Sequence, residues 1–268
     1  LASVGLSSIT SIHRFTAEPM NTEKLYNTTA SRWRRRGPNS LSDFTGRPAV
    51  FDLCGDVRGL RLLDLGCGEG YCARQLMGRG AAEIRGVDIS AEMIELARIQ
   101  ESEEPLGIDF VHAPVLEYVD TPNSYELVLS VFLINYLTIA EMREVMVRAH
   151  RFLKPGGRFV FSVPHPAFPL IHDGSAPFFF DYGSHGYFSG RDDKHEGEIH
   201  CIDGTQLSVQ AIHKTVTDYF EGLAAAGFTT MPVVRELGVR PEHMELNSEF
   251  FGPVNDVPLH MAFSVEKA

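Results

Sequence analysis

The sequence predicts an α/β domain in which helices cover both faces of a mainly parallel sheet. From Gly59 onward, short apolar runs alternate with longer segments of helical periodicity, which is typical of consecutive βα units. A turn rich in glycine joins the first run to a helix, as in open sheets that bind ligands at their carboxyl edge. The runs predict five strands at 61–65, 83–88, 108–112, 125–132 and 157–164, with helices near 70–79, 91–101 and 139–152.

Local signals set the boundaries of these elements and complete the sheet. The Ser90 hydroxyl can cap the helix near 91–101, and Pro155 with the two glycines after it stops the helix near 139–152. The sequence also predicts a helix near 214–226. Two further strands, near 229–239 and 257–265, bring the predicted sheet to seven strands.

Residues 164–206 depart from the alternating pattern. They show no sustained period, and they are rich in aromatic side chains, including Phe168, Phe178, Phe179, Phe180, Tyr182, Tyr187 and Phe188. A solvated loop with so many aromatic residues would expose a large apolar patch. We therefore expect an insertion that covers the edge of the sheet.

Composition excludes several classes of protein. The formal net charge of −11 argues against a broad nucleic-acid surface, and no apolar stretch approaches the roughly 20 residues that cross a bilayer. The basic run at 32–36 is either a solvated helix face or a feature that steers an anionic substrate. Four cysteines without CxxC spacing predict free thiols and a cytoplasmic location.

The amino-terminal segment predicts no structural element. Residues 1–19 lack a basic start, and Ser and Thr interrupt their apolar residues, so a secretory signal fits poorly. A natural start at Met20 would make residues 1–19 an upstream or disordered extension.

The glycine-rich turn contains Gly66, Gly68 and Gly70 between the first strand and its helix. No Lys follows these glycines as in a P-loop, and their spacing differs from the GxGxxG of dinucleotide-binding turns. Asp64 precedes the turn, and Asp88 at the end of the second strand can accept hydrogen bonds from two ribose hydroxyls. Asp88 suits a nicotinamide dinucleotide as well as an adenosyl ribose, so it does not discriminate between them by itself.

Four motifs together resemble the class I S-adenosylmethionine-dependent methyltransferases, in the order LLDLGCGEG (62–70), GVDIS (86–90), YELVLSVFLINYL (125–137) and LKPGGRFVFSVPHP (153–166). The resemblance implies a Rossmann-like three-layer sandwich with a mainly parallel seven-stranded sheet. It further implies a methyltransferase domain over residues 20–268, with an N-terminal helical cap at 20–58 and a lid or substrate insertion at 164–206 after strand five. The implied cofactor is S-adenosylmethionine, with S-adenosylhomocysteine as product.

The resemblance also implies where the cofactor binds. The loop of three glycines would pass under its methionine and ribose, Asp64 would hold the methionine amino group, and Asp88 would hold the ribose hydroxyls. Further residues beside the cofactor would be Tyr26, Trp33, Ile89, Met93, Ser130 and Val131. For Tyr26 and Trp33 the alternative is an amphipathic helix whose aromatic side chains only pack on the sheet.

Two positions depart from the pattern of the resemblance. Pro114 stands where many members have an acid that reaches the adenine amino group, so adenine recognition would use the backbone of Val115 or Leu116, a neighbouring side chain or water. Glu126 stands where Asp is commoner, and its longer side chain should change little.

Methyl transfer from a sulfonium needs alignment and exclusion of water, and it needs a base only if the nucleophile must lose a proton. His165, directly after strand five, is a candidate base or else a structural residue of a rigid turn. Tyr187 and His200 in the insertion are further candidates for contact with the substrate. The histidines between 165 and 213 have neither HxxxH nor HExxH spacing, which predicts no catalytic metal.

We therefore expect a cytoplasmic methyltransferase, monomeric or homodimeric, that methylates O or N of a small molecule. Its acidity and aromatic insertion favour a small-molecule substrate over nucleic acid, and we expect no membrane partner. The alternatives are an RNA or protein methyltransferase that uses the basic run, and a non-catalytic protein that binds the cofactor.

Overall fold

The computed structural model describes residues 21–34, 37–171, 174 and 176–268. The predicted extension 1–19, two arginines of the basic run and His172 lie outside these residues. The strands are β1 (Arg61–Leu65), β2 (Glu83–Asp88), β3 (Asp109–His112), β4 (Tyr125–Val131), β5 (Leu153–Pro164), β6 (Phe178–Phe180), β7 (Lys194–His200), β8 (Gln206–Ile212), β9 (Val233–Leu237) and β10 (His260–Glu266). The α-helices are α1 (Thr22–Trp33), α2 (Leu41–Thr45), α3 (Arg47–Cys54), α4 (Tyr71–Gly78), α5 (Ala91–Glu103), α6 (Ile139–Phe152), α7 (Phe168–Ile171), α8 (Val216–Ala225) and α9 (Pro241–Phe251).

The main sheet has seven strands in the order β3-β2-β1-β4-β5-β10-β9. Strands β1 to β5 pair in parallel, whereas β10 runs antiparallel between β5 and β9. The predicted mainly parallel sheet of seven strands is confirmed. Because β10 is antiparallel, its first residue, His260, pairs with Pro164 at the carboxyl end of β5. Residues from the start of β10 therefore reach the edge where α/β sheets bind ligands.

Helices pack on both faces of the sheet and give the three layers that the sequence predicts. Alternate side chains of each central strand enter opposite cores, as Leu62 and Leu63 of β1 do. One core includes buried residues of α6 and α8, and the other includes buried residues of α3, α4 and α5. Both faces of the parallel strands are buried, which explains their nearly continuous apolar sequences.

The local signals act where the sequence predicts them. Ser90 caps α5 by accepting a hydrogen bond from the Met93 N–H at 3.2 Å. A capping box of Thr138 and Glu141 begins α6. In the described ranges, the structure contains no helix long and apolar enough to span a bilayer.

The insertion contains regular structure that its irregular sequence did not predict. Strands β6, β7 and β8 form a separate antiparallel sheet, and β8 extends beyond the predicted end of the insertion at residue 206. Phe178 and Phe180 of β6 pack into a third apolar cluster with Leu41 of α2 and Phe251 of α9. The aromatic residues of the insertion therefore join it to the N-terminal helices.

Candidate active site

A large cavity, here called the central cavity, lies at the carboxyl ends of β1, β2 and β4. It has a volume of about 1120 Å³, counted out to the solvent. The glycine-rich turn forms one side, and α1, α2 and α3 contribute residues to another. Side chains of β6, β7 and β10 complete the lining.

The three glycines of the turn have different roles, although all have positive φ. A Cβ on Gly70 would lie 2.6 Å from the Phe110 ring, and one on Gly66 would lie 2.8 Å from Leu133. Gly68 also lines the central cavity, but no described atom lies within 4 Å of the position of its missing Cβ. Glycine is therefore needed at position 70 so that Phe110 can pack against the backbone, and glycine at position 68 leaves space for a ligand.

Asp88 ends β2 at the cavity, and both of its carboxylate oxygens are oriented by backbone donors. Oδ2 accepts from the Gly68 N–H at 2.9 Å, and Oδ1 accepts from the Ser90 N–H at 2.8 Å. Burial raises the pKa of Asp88, and the two N–H groups oppose that rise. Since a carboxylate has about four acceptor positions, each oxygen keeps a lone pair for a neighbouring diol.

Asp64 lies in the same cavity and has an acceptor without a donor. Its Oδ2 is buried and has no hydrogen-bond partner in the described part of the chain. Burial, with the charges of Asp88 and Glu69, raises the pKa of Asp64 to about 7. A buried carboxylate without a partner is costly, so this position fits a cationic group of a ligand.

Arg47 supplies a positive charge that the sequence did not lead us to expect in the site. It begins α3 and lines the central cavity, and Nη1 donates to Asp43 Oδ1 at 2.8 Å and to Ser42 Oγ at 2.5 Å. Its buried Nε has no partner in the described ranges. Burial has the largest single effect and lowers the pKa of Arg47, but Asp43, Cys72 and Glu69 together raise that pKa above its usual value, so the guanidinium stays charged.

The aromatic residues predicted on α1 also face the cavity. Tyr26 donates its hydroxyl hydrogen bond to the Tyr136 hydroxyl at 2.5 Å, and its ring centroid lies 5.6 Å from that of Trp33. Ile89, Met93 and Val131 line the cavity as well. The structure thus brings these predicted cofactor residues together around one space.

Three further predicted cofactor residues lie elsewhere. Pro114 and Val115 line an adjoining cavity, which shares Asp88 and Ile89 with the central cavity. Ser130 is fully buried in β4 and does not line the central cavity. The end of β4 therefore reaches the cavity through Val131.

The three candidate catalytic residues do not line the central cavity. His165 accepts from the Ala167 N–H at 3.1 Å through Nδ1, and its Nε2 then donates to Glu236 at 2.9 Å. The Tyr187 hydroxyl accepts from the Val216 N–H at 2.9 Å, and His200 pairs with Glu198. Among the described residues, no group of three or more His, Cys, Asp or Glu side chains could hold a metal ion.

Comparisons with known proteins agree with this arrangement. A family profile described as "Methyltransferase domain" matches residues 62–157. A ubiquinone biosynthesis O-methyltransferase of Klebsiella pneumoniae is 31% identical over 114 residues, which are 42% of this chain and 46% of that protein. An uncharacterised protein of Haemophilus influenzae is 31% identical over 136 residues, 49% of this chain and 53% of that protein.

The chain thus spans about half the length of the curated relatives that it matches. An S-adenosylmethionine-dependent methyltransferase from Mesorhizobium loti superposes with a TM-score of 0.61 over 82% of this chain and 96% of that one. At 22% identity, that likeness shows the fold alone. The profile match lies on β1 to β5, where the glycine turn, Asp64 and Asp88 form the cavity. Residues 62–157 thus match a methyltransferase domain, and the chain has the fold of solved S-adenosylmethionine-dependent methyltransferases.

Proposed function

We propose that the chain binds S-adenosylmethionine in the central cavity and methylates O or N of a small molecule there. The observation that carries the proposal is that Asp64, Gly68 and Asp88 line one cavity, with the Gly68 N–H bound to Asp88. When bound, S-adenosylmethionine would supply a methyl group on a sulfonium sulfur. A nucleophile in line with the C–S bond would take the methyl group as that bond breaks and S-adenosylhomocysteine leaves. The protein has to hold both reactants and exclude water.

The polar residues of the cavity match the charged groups of this cofactor. Asp88 would accept hydrogen bonds from the ribose hydroxyls, and the partnerless oxygen of Asp64 would accept from the ammonium group. Arg47 would pair with the carboxylate through its free Nε. Ile89 and Met93 would contact adenine, with Pro114 and Val115 beside them in the adjoining cavity.

The cover of the cavity supports a small-molecule substrate. Tyr26, Trp33 and Leu41 come from the N-terminal helices, and Phe178 and Phe180 come from the insertion. An acidic chain with such an apolar cover suits an uncharged or weakly charged small molecule better than nucleic acid. The Klebsiella relative is named as an O-methyltransferase of ubiquinone biosynthesis, which supports oxygen as the acceptor.

The experiment is a screen for release of S-adenosylhomocysteine. The protein would be incubated with S-adenosylmethionine and small phenols, alcohols, amines or carboxylates, with bulk RNA and an unfolded protein as separate additions. We expect release with a member of the small-molecule set. Release only with RNA or protein would contradict the proposed substrate class, and tight cofactor binding without any release would indicate a non-catalytic protein.

Asp64 gives the proposal a pH dependence. The pKa of Asp64 is about 7, so below that pH the carboxyl is mostly protonated and cannot pair with an ammonium group. Affinity for S-adenosylhomocysteine should therefore fall on the order of tenfold from about pH 7.5 to about pH 5.5. Calorimetry of the wild type and Asp64→Asn at both values measures this. The variant should bind more weakly with little pH dependence, and an equal dependence in both proteins would assign it to another group.

A further inference from the structure

His260 lies in the part of the central cavity that is lined by aromatic residues. It begins β10 opposite Pro164, and only 2% of its surface is exposed. Its ring centroid lies 5.1 Å from that of Phe132 and 5.9 Å from that of Phe178. Because Phe132 directly follows β4, His260 lies beside the carboxyl edge of the sheet, and it lines the same cavity as the glycine turn.

Hydrogen bonding determines which nitrogen of His260 carries the proton. The Thr45 hydroxyl donates its only hydrogen to the Leu41 carbonyl at 2.9 Å, so it can only accept from His260. His260 Nε2 lies 3.2 Å from that hydroxyl oxygen and is therefore the protonated nitrogen. The other nitrogen, Nδ1, carries a lone pair.

No described residue donates a hydrogen bond to the lone pair of Nδ1. His260 Nδ1 is buried without a hydrogen-bond partner in the described ranges. The Cδ2 atom faces Gly46 and Nε2 faces Thr45, so Nδ1, at the opposite corner of the ring, points away from α2 and α3. Buried acceptors of this kind are usually paired, and a ligand in the cavity can supply the missing donor.

A second residue that lines the central cavity also has a buried acceptor without a hydrogen-bond donor. Asn135, after β4, lines the cavity and is 5% exposed, and its Oδ1 has no partner among the described residues. His260 contacts the rings of Phe132 and Phe178, and all of these residues line the central cavity together with Asn135. This part of the cavity therefore fits an apolar ring that carries hydrogen-bond donors.

The charge beside His260 selects between possible donors. Burial and the positive charge of Arg47 lower the pKa of His260 to about 3, so the imidazole is neutral near pH 7. The Arg47 guanidinium lies 5.4 Å from the centroid of the Phe132 ring that His260 also contacts. A protonated amine at this place would be repelled by Arg47, whereas a hydroxyl would not.

We infer that His260 Nδ1 accepts a hydrogen bond from a hydroxyl of the methyl acceptor, so that the substrate is a hydroxylated aromatic compound. This inference rests on the proposed function and adds a specificity-determining residue to it. A site that binds a hydroxyl through a buried acceptor discriminates against the ligand that lacks the hydroxyl, because the acceptor is then left unpaired.

The probes are catechol and its dimethyl ether, veratrole, which share a ring but differ in hydrogen-bond donors. Trp33 is the only tryptophan of the chain and lines the cavity, so its fluorescence reports binding without turnover. Protein saturated with S-adenosylhomocysteine would be titrated with each probe. We expect wild-type protein to bind catechol at least about tenfold more tightly than veratrole.

Two substitutions at His260 separate hydrogen bonding from packing. In His260→Gln the amide reaches the position of Nε2 and keeps the contact with Thr45 but loses the acceptor at Nδ1. In His260→Asn the amide lies near the position of Nδ1 and can keep that acceptor. We expect His260→Gln to bind both probes about equally, and His260→Asn to retain most of the preference for catechol.

Calorimetry with S-adenosylhomocysteine on all three proteins keeps the two proposals distinguishable. Failure of the wild type to bind it contradicts the proposed function itself. If it binds, three results overturn the inference about His260: no catechol binding, no preference in the wild type, or an unchanged preference in His260→Gln. Equal loss of preference in both variants also overturns it, because a packing role of the ring would then explain the result.

Discussion

Asp88→Ala should weaken binding of S-adenosylhomocysteine by about 100-fold, because two charge-assisted hydrogen bonds to the ribose are worth about 3 kcal/mol together. The substitution also removes the acceptor for the Gly68 and Ser90 N–H groups. That acceptor orients the glycine turn under the ligand. Calorimetric titration of the folded variant at about pH 7.5 measures the loss.

Asp56→Ala is the matched control for this experiment. Asp56 is exposed, pairs with Arg58, and precedes β1 at the edge of the sheet opposite the cavity. The control should bind the ligand like the wild type. Wild-type affinity in Asp88→Ala would show that the ribose is bound by another group, and the assignment of the central cavity would then be wrong.

Gly68→Ala should reduce cofactor affinity at least about tenfold with little additional cost to folding. Its Cβ would meet no described atom, so its main folding cost is that of an L-residue at φ 55°, roughly 1–2 kcal/mol. In the complex, the same Cβ would occupy the space that the ligand needs. Calorimetry gives the affinity, and urea unfolding gives the free energy of unfolding.

Gly107→Ala provides the comparison for backbone strain. Gly107 has φ 84° and also has no described atom within 4 Å of its missing Cβ, but it precedes β3 at the opposite edge of the sheet. The two variants should lose similar free energy of unfolding, and only Gly68→Ala should lose affinity. Equal affinities would mean that the ligand does not approach Gly68.

The main sheet could be predicted because its signals are local. Arg61–Leu65 and Glu83–Asp88 match the predicted strands residue for residue, since buried parallel strands have continuous apolar sequences bounded by turn residues. β5 begins earlier than predicted, at Leu153, because pairing of Leu153 with Tyr125 of β4 extends it across Gly156 and Gly157. Long-range pairing of this kind leaves no local signal.

Arg47 and His260 are residues of the site that could not be predicted from the sequence. Asp64 and Asp88 lie beside a recognisable turn, but Arg47 is a single arginine in an apolar segment, and its role depends on the packing of α3 against the sheet. His260 likewise begins a strand nearly 200 residues after the glycine turn, and only the antiparallel pairing of β10 with β5 brings it to the cavity that the turn lines.

The insertion was predicted as a cover with candidate catalytic residues, and the structure places these residues outside the lining of the central cavity. His165 and His200 are engaged by Glu236 and Glu198, and Tyr187 binds the backbone at Val216. Residue type and position after strand five made His165 a reasonable candidate, because ligands collect at that edge. In the structure, His165 lines an adjacent smaller cavity and not the central cavity.

The most direct test is calorimetric titration of the full chain with S-adenosylhomocysteine and, separately, with the nicotinamide dinucleotide NAD. Asp64 Oδ2 is buried without a partner among the described residues, where it would attract an ammonium group, and the Asp64 carboxylate would repel the pyrophosphate of NAD. We expect one molecule of S-adenosylhomocysteine to bind each chain and NAD to give no saturable heat. Absence of S-adenosylhomocysteine binding, or tighter binding of NAD, would contradict the assignment of the site to an adenosyl sulfonium cofactor.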